Sequence, residues 1–229
     1  MGERVVVLLS GGLDSTTCAY LARAAGHEIH ALSFDYGQRL VKELESARRV
    51  AEAVQARQHV VMNFNLGTWG GSSLTDPSLA VPTHDRVEDI DGGIPSTYVP
   101  GRNTLFLSFA LSFAEALDAQ AIYIGVNALD YSGYPDCRPE YMEAFREVAR
   151  LGTRQGIEGR PVEIRAPLLH WSKAEIIRHG LAVGTDYGLT WSCYQGGATP
   201  CEVCDSCLLR ARGFEEAGAR DPLVVSAGV

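Results

Sequence analysis

No apolar run in this chain approaches the ~20 residues needed to cross a bilayer, and its N-terminus lacks a signal-peptide pattern. A soluble, cytoplasmic protein with no membrane partner is therefore expected. Basic charge is scarce. Twenty Lys and Arg stand against 28 Asp and Glu, a formal net charge of −8. So acidic a chain is a poor nonspecific partner for nucleic acid, which favours a small-molecule substrate, though a local basic face is compatible with it. No internal repeat and no low-complexity segment occur. Cysteine is rare outside one stretch: of six, four lie between Cys193 and Cys207, and the others are Cys18 and Cys137. Clustering of this kind argues for a metal rather than for disulfides. Two phosphate-binding patterns are missing as well. No Gly-Lys-Ser/Thr follows a glycine loop, and no G-x-G-x-x-G is present.

What is present is Ser10-Gly11-Gly12-Leu13-Asp14-Ser15. Val5 to Leu9 before it is short, apolar and rich in β-branched residues, which reads as a buried parallel strand. After it, Cys18, Leu21, Ala22 and Ala25 recur at helical spacing up to Gly26. The glycines therefore occupy a strand-to-helix turn, where a ligand can approach the main chain. The helix start offers unpaired N–H groups and a positive dipole end, and Ser15, Thr16 and Thr17 add hydroxyls. Such a turn suits phosphates.

Strands are expected at Glu28–Phe34, Gln58–Phe64, Ala121–Val126 and Val162–Ala166. Between them lie helices at about Val41–Ala56, Thr104–Leu117 and Pro139–Leu151. Leu44, Ala47, Val50, Ala51 and Val54 form the apolar stripe of the first. The second is apolar enough to be largely buried, and the third presents Tyr141, Phe145, Val148 and Ala149. Alternating strands and helices predict an α/β fold, a doubly wound parallel sheet of about five strands with ligands at the carboxyl ends. Residues 65–97, rich in Gly and Pro, read as an irregular insertion, either a lid or an ordered connection.

Arg102 and Asn103 open the second helix, where an Arg fork suits a carboxylate or phosphate. The loop after the fourth strand places Asp130, Tyr134 and Asp136 where rings can stack on a flat heterocycle and carboxylates can accept its N–H groups. Ser172 and Glu175 predict a capping box. That puts Lys173 in a first turn, where a cation opposes the dipole and a ligand phosphate would explain it. Cys193, Cys201, Cys204 and Cys207 supply four thiolates, the number and type of a closed structural zinc site, with an iron–sulfur cluster as the rival. Cys18 reads as core, and Cys137 as a pocket-loop thiol.

The Ser-Gly-Gly-x-Asp-Ser motif resembles that of the PP-loop ATP pyrophosphatases. The likeness extends to the branch of that family that makes queuosine precursors. It rests on Ser10–Cys18, Phe34-Asp35-Tyr36-Gly37-Gln38-Arg39, Pro95–Asn103, Asp130–Arg138, Lys173-Ala174-Glu175 and the four cysteines with Leu209-Arg210. Leu40 stands where the family usually has His, and Asn127-Ala128-Leu129 replaces the Cys-Glu-Thr of some members.

The resemblance implies an adenine nucleotide alpha hydrolase-like domain over residues 1–185 and a four-cysteine zinc-binding region over 186–229. It implies a C–N-forming ligase that turns 7-carboxy-7-deazaguanine, ammonia and ATP into the 7-nitrile through an adenylated carboxylate. ATP with Mg²⁺ would lie along Leu9, Ser10, Gly11, Gly12, Leu13, Asp14, Ser15, Thr16, Thr17, Cys18 and Ala19. Ser10, Asp14, Ser15 and Lys173 would be catalytic. Arg102, Asn103, Asp130, Tyr134 and Asp136 would bind substrate, one structural Zn²⁺ would sit on the four cysteines, and the protein would be a homodimer. The alternatives are a tRNA-thiolating PP-loop enzyme using Cys137 and a non-catalytic nucleotide-binding zinc scaffold.

Overall fold

The computed structural model describes residues 2–39, 41–90, 92–129 and 133–224. Leu40 and Asp130 lie outside the described residues. The chain runs β1 (Arg4–Leu8), α1 (Leu13–Ala24), β2 (Glu28–Asp35), α2 (Val41–Ala53), β3 (Gln58–Asn63), α3 (Arg102–Leu117), β4 (Ala121–Tyr123), α4 (Pro139–Gly152), α5 (Arg154–Ile157), β5 (Glu163–Arg165), α6 (Lys173–Ala182) and α7 (Asp205–Ala217).

The strands form one sheet in the order β3-β2-β1-β4-β5. Every pairing is parallel, with Val5 opposite Ile29 on one side and Ala121 on the other. β1 is central because Val5, Val6 and Val7 are wholly apolar and wholly buried, as a strand covered on both faces must be. Period-two alternation then divides the core. Val6 and Leu8 join Leu107, Leu111, Met142 and Phe145, so α3 and α4 cover one face. Val5, Val7 and Leu9 join Cys18, Ala47, Val50, Ile176 and Phe214, so α1, α2, α6 and α7 cover the other.

The α2 stripe Leu44, Ala47, Val50, Ala51 and Val54 is buried throughout, and Cys18 is core. Three expectations need correcting. α3 is not largely buried: Phe106, Phe109 and Phe113 are only partly covered, because they lie beside the edge strand β3. On α4 the buried positions are Met142, Phe145 and Ala149, while Val148 is 49% exposed. β4 ends at Tyr123 rather than Val126. There the chain turns beneath the start of α1, where a Cβ on Gly125 would stand 2.9 Å from the carbonyl carbon of Asp14.

The sequence reading also left α7 unassigned. Its buried positions Cys207, Arg210 and Phe214 do have helical spacing, but they combine a thiol and a charge with an aromatic ring.

The 65–97 insertion contains only two short 3-10 turns among its described residues. It is pinned at several points. Arg39 donates to the carbonyls of Asp76 at 2.5 Å and Leu79 at 2.6 Å. Thr97 Oγ1 lies 2.9 Å from the Tyr134 hydroxyl, and His84 Nε2 lies 3.1 Å from Asp205 Oδ1. Among the described residues no helix is long and apolar enough to cross a membrane.

Candidate functional site

β1 lies between β2 and β4, so the loop after it sits where the strand order reverses, the place where open α/β sheets bind ligands. Gly11 has φ +84°, and a Cβ there would lie 2.3 Å from the Glu43 carbonyl oxygen and 2.5 Å from Ala47 N. Only glycine lets the loop lie directly on α2. Gly12 caps α1 without any side-chain hydrogen bond, which leaves the first-turn N–H groups to a ligand. Ser10 and Ser15 brace the turn, their hydroxyls 3.0 Å apart and the Ser10 N–H donating to Ser15 Oγ at 3.2 Å. The Trp191 N–H donates to the Gly11 carbonyl at 2.9 Å, tying the later chain to the loop.

The loop opens into a cavity of about 300 Å³. Leu9, Ser10, Gly12, Leu13, Asp14 and Ser15 line one end. Thr16, Thr17, Cys18 and Ala19 are buried in α1 instead. The Thr17 hydroxyl is used up on the Leu13 carbonyl and the Tyr187 hydroxyl, each at 2.9 Å. In this conformation the Thr17 hydroxyl is therefore not turned to a phosphate. Lys173 Nζ stands 2.9 Å from both Asp14 carboxylate oxygens. The capping box expected at Ser172 and Glu175 is formed and presents this lysine across the cavity to the loop. Gly213 lets α7 close behind it, since a Cβ there would meet Lys173 Cγ at 2.4 Å.

At the other end, Arg102 projects from the first turn of α3 and donates to the Tyr36 hydroxyl at 3.3 Å. Its guanidinium lies 5.9 Å from the Tyr36 and Phe106 ring centres. Among the described residues no carboxylate comes within ion-pair distance of it. A half-buried cation without an acid is a place for an anionic ligand. Tyr134, Tyr194, Glu43, Gln38 and Asn103 line the same end. Burial pushes the Glu43 carboxyl up to about 7, against the opposing pull of Arg102. Burial, with Asp136 adding to it, also pushes the Cys137 thiol up to about 12, so it is a poor thiolate at neutral pH.

Asp136 does not line the cavity. Its carboxylate accepts the Asn103 N–H at 3.0 Å at the start of α3, while the Asn103 amide donates to the Asp136 carbonyl at 3.2 Å. Glu43 and Tyr194 are not singled out by the sequence, and Tyr36 enters there only as part of the Phe34–Arg39 motif. Glu43 interrupts the polar side of α2 one residue before the apolar stripe, and nothing in the spacing marks it.

The third wall is the cysteine segment. Cys193, Cys201, Cys204 and Cys207 bring their sulfurs within 4.8 Å of one another. A tetrahedral zinc with sulfur at about 2.3 Å needs sulfurs about 3.8 Å apart, and Cys201 and Cys207 lie at 3.9 Å. Backbone N–H groups of Gln195 and Cys201 point at Cys193 Sγ, each at 3.4 Å. Neighbouring thiols and these N–H groups hold the Cys193 thiol well below its ordinary value, the condition of a metal-binding thiolate. Arg210 locks the wall in place. It grips the Asp221 carboxylate with two bonds, at 2.6 and 2.8 Å, and donates to Thr190 Oγ1 at 2.8 Å.

A parallel sheet of order 3-2-1-4-5, with an uncapped Ser-Gly-Gly turn at its switch point, defines an α/β protein of the PP-loop fold. Solved structures with this fold include an NMN synthetase from Francisella tularensis, at TM-score 0.51 and 15% identity, over 99% of this chain and 80% of that one. Another is a 4-thiouridine synthetase bound to RNA and ATP, at TM-score 0.50 and 18% identity, over 94% of this chain and 50% of that one. These likenesses extend to the fold alone.

The family model described as queuosine biosynthesis protein QueC matches residues 4–218, and the chain belongs to that family. A relative named 7-cyano-7-deazaguanine synthase from Kineococcus radiotolerans is 57% identical over 225 residues, 97% of this chain and 98% of its own. One of the same name from Nostoc punctiforme is 56% identical over 221 residues, 96% of this chain and 99% of its own.

Proposed function

We propose that the chain converts 7-carboxy-7-deazaguanine, ammonia and ATP to 7-cyano-7-deazaguanine, the product for which its relatives are named. The observation that carries this reading is one cavity with an open phosphate turn at one end and, at the other, an Arg102 that forms no ion pair among the described residues. A carboxylate is a poor electrophile and must first be activated. With the phosphates on Ser10–Ser15, a substrate carboxylate oxygen attacks the α-phosphorus and the bond to pyrophosphate breaks. The first-turn N–H groups of α1 and the Lys173 ammonium offset the charge that leaves. Lys173 reaches the phosphates by turning away from Asp14.

Ammonia then attacks the acyl adenylate and AMP departs, leaving the amide. A second activation, at the amide oxygen, followed by loss of that oxygen with AMP, gives the nitrile. Tyr134 and Asp130 read the deazaguanine ring, and Arg102 holds an anionic group on it. Asn103 and Asp136 serve by fixing the start of α3 from which Arg102 projects.

Mg²⁺ travels with the nucleotide, and Asp14, Ser10 and Ser15 offer the hard oxygen donors it takes. The four cysteines hold one Zn²⁺, which closes the 186–229 region onto the 1–185 domain. Four thiolates leave it no open position for chemistry. The working protein is a cytoplasmic homodimer. Mass spectrometry of protein, ATP, Mg²⁺, ammonium and 7-carboxy-7-deazaguanine tests the reading. Nitrile with AMP is the expected product; unchanged acid with intact ATP would overturn it.

A further inference from the structure

Making an amide and then a nitrile from ammonia requires that nitrogen lose its protons, so the cavity must contain something to take them. Asp14 is paired with Lys173 and, with nucleotide bound, would be given over to its Mg²⁺, and the Tyr36 and Tyr134 hydroxyls are held protonated by burial. Glu43 differs from all of these. It lines the cavity from the first turn of α2, is partly buried, and receives no hydrogen bond or ion pair among the described residues. A carboxylate withdrawn from water without a partner is costly unless a ligand supplies one. Its surroundings place it between the two reacting ends. Its own backbone carbonyl packs against Gly11 of the phosphate turn, and its carboxyl lies within electrostatic range of Arg102.

We propose that the Glu43 carboxylate is the binding site of the nitrogen nucleophile, holding ammonium and taking the protons that nitrogen gives up. In the first half of the reaction the C–N bond forms, and the acyl C–O bond to AMP breaks with its electron pair leaving on the phosphate oxygen. Ammonium gives up two protons on the way to the amide, one before nitrogen attacks and one after, and each goes to a Glu43 oxygen and from there to solvent. The groups facing Glu43 set its task. Arg102 opposes its protonation from α3, while Tyr36 from the end of β2 and Tyr194 and Cys193 from the cysteine segment add no competing cation. Lys42 on the same helix turns to the Gly197 and Ala198 carbonyls. A carboxyl that lines the cavity with no other side chain bonded to it among the described residues is placed to accept a proton from a bound ligand and return it.

This inference rests on the reaction proposed above, and the test separates the two. Wild-type protein that shows no pyrophosphate–ATP exchange dependent on 7-carboxy-7-deazaguanine would refute the reaction itself. Given that exchange, Glu43→Gln is expected to retain it. The variant should lose about 100-fold or more of amide and nitrile formation, with a raised KM for ammonium and an unchanged KM for ATP. Glu43→Asp is expected to recover part of the loss. The inference is overturned if Glu43→Gln keeps the wild-type ammonium KM and rate. It is equally overturned if exchange and amide formation fall together, since Glu43 would then serve the fold or the nucleotide.

Discussion

The phosphate turn and the cysteine segment face one cavity and are built in opposite ways. The turn is unfinished as a piece of protein. Its helix has no side-chain cap, its glycines leave backbone bare, and its charged pair, Lys173 and Asp14, stays partly open to solvent. The cysteine wall is closed. Its four sulfurs converge on one point, and its charged pair, Arg210 and Asp221, is buried and bidentate. Groups left unsatisfied belong where a ligand arrives, and groups fully satisfied belong where shape must be held. A pair partly open to solvent exchanges partners at lower cost than one that is wholly buried.

Substitutions can break this contrast from its closed side first. Cys204→Ser should release the metal and cost at least about 4 kcal/mol, read as lost zinc by elemental analysis and a lowered melting midpoint. Arg210→Met, which strands Asp221 in the interior, should cost about 3–5 kcal/mol in chemical denaturation. The open side should respond in activity instead. Lys173→Ala should lower kcat/KM about 100-fold or more while moving stability by no more than about 1 kcal/mol. A large stability loss there would erase the distinction between the walls.

Another effect is a pH dependence. The Glu43 carboxyl is raised in the folded protein from 4.5 to about 7, so the native state holds a proton that the unfolded chain has released. Stability should therefore fall as pH rises between those values. Glu43→Gln should remove roughly 3 kcal/mol of that fall, leaving the variant the more stable protein at pH 8 and no different at pH 4. Equal denaturation curves for the two proteins at both pH values would contradict it.

Much of this was legible in the sequence because local rules produced it. The Val5–Leu9 strand, the α2 stripe and the Ser172 capping box each follow from spacing alone, and so does the convergence of four cysteines on one point. The rest depended on partners far away in the chain. Asp136 was read as a ligand group because its loop is polar, but its carboxylate meets an N–H of Asn103, 33 residues earlier. Thr17 was read as a phosphate donor, yet its hydroxyl faces Tyr187, 170 residues on. Lys173 was singled out by its misfit with the helix dipole, and the reason in this structure is Asp14, 159 residues away. Glu43 carries no motif. Only the cavity, formed by separate elements of the chain, makes it stand out.

The central claim is that ATP is spent on a substrate oxygen within this cavity. Labelling both carboxylate oxygens of 7-carboxy-7-deazaguanine with ¹⁸O and weighing the AMP tests it most directly. The account predicts one labelled oxygen on each AMP and none on pyrophosphate. Unlabelled AMP, or label on orthophosphate beside ADP, would contradict it.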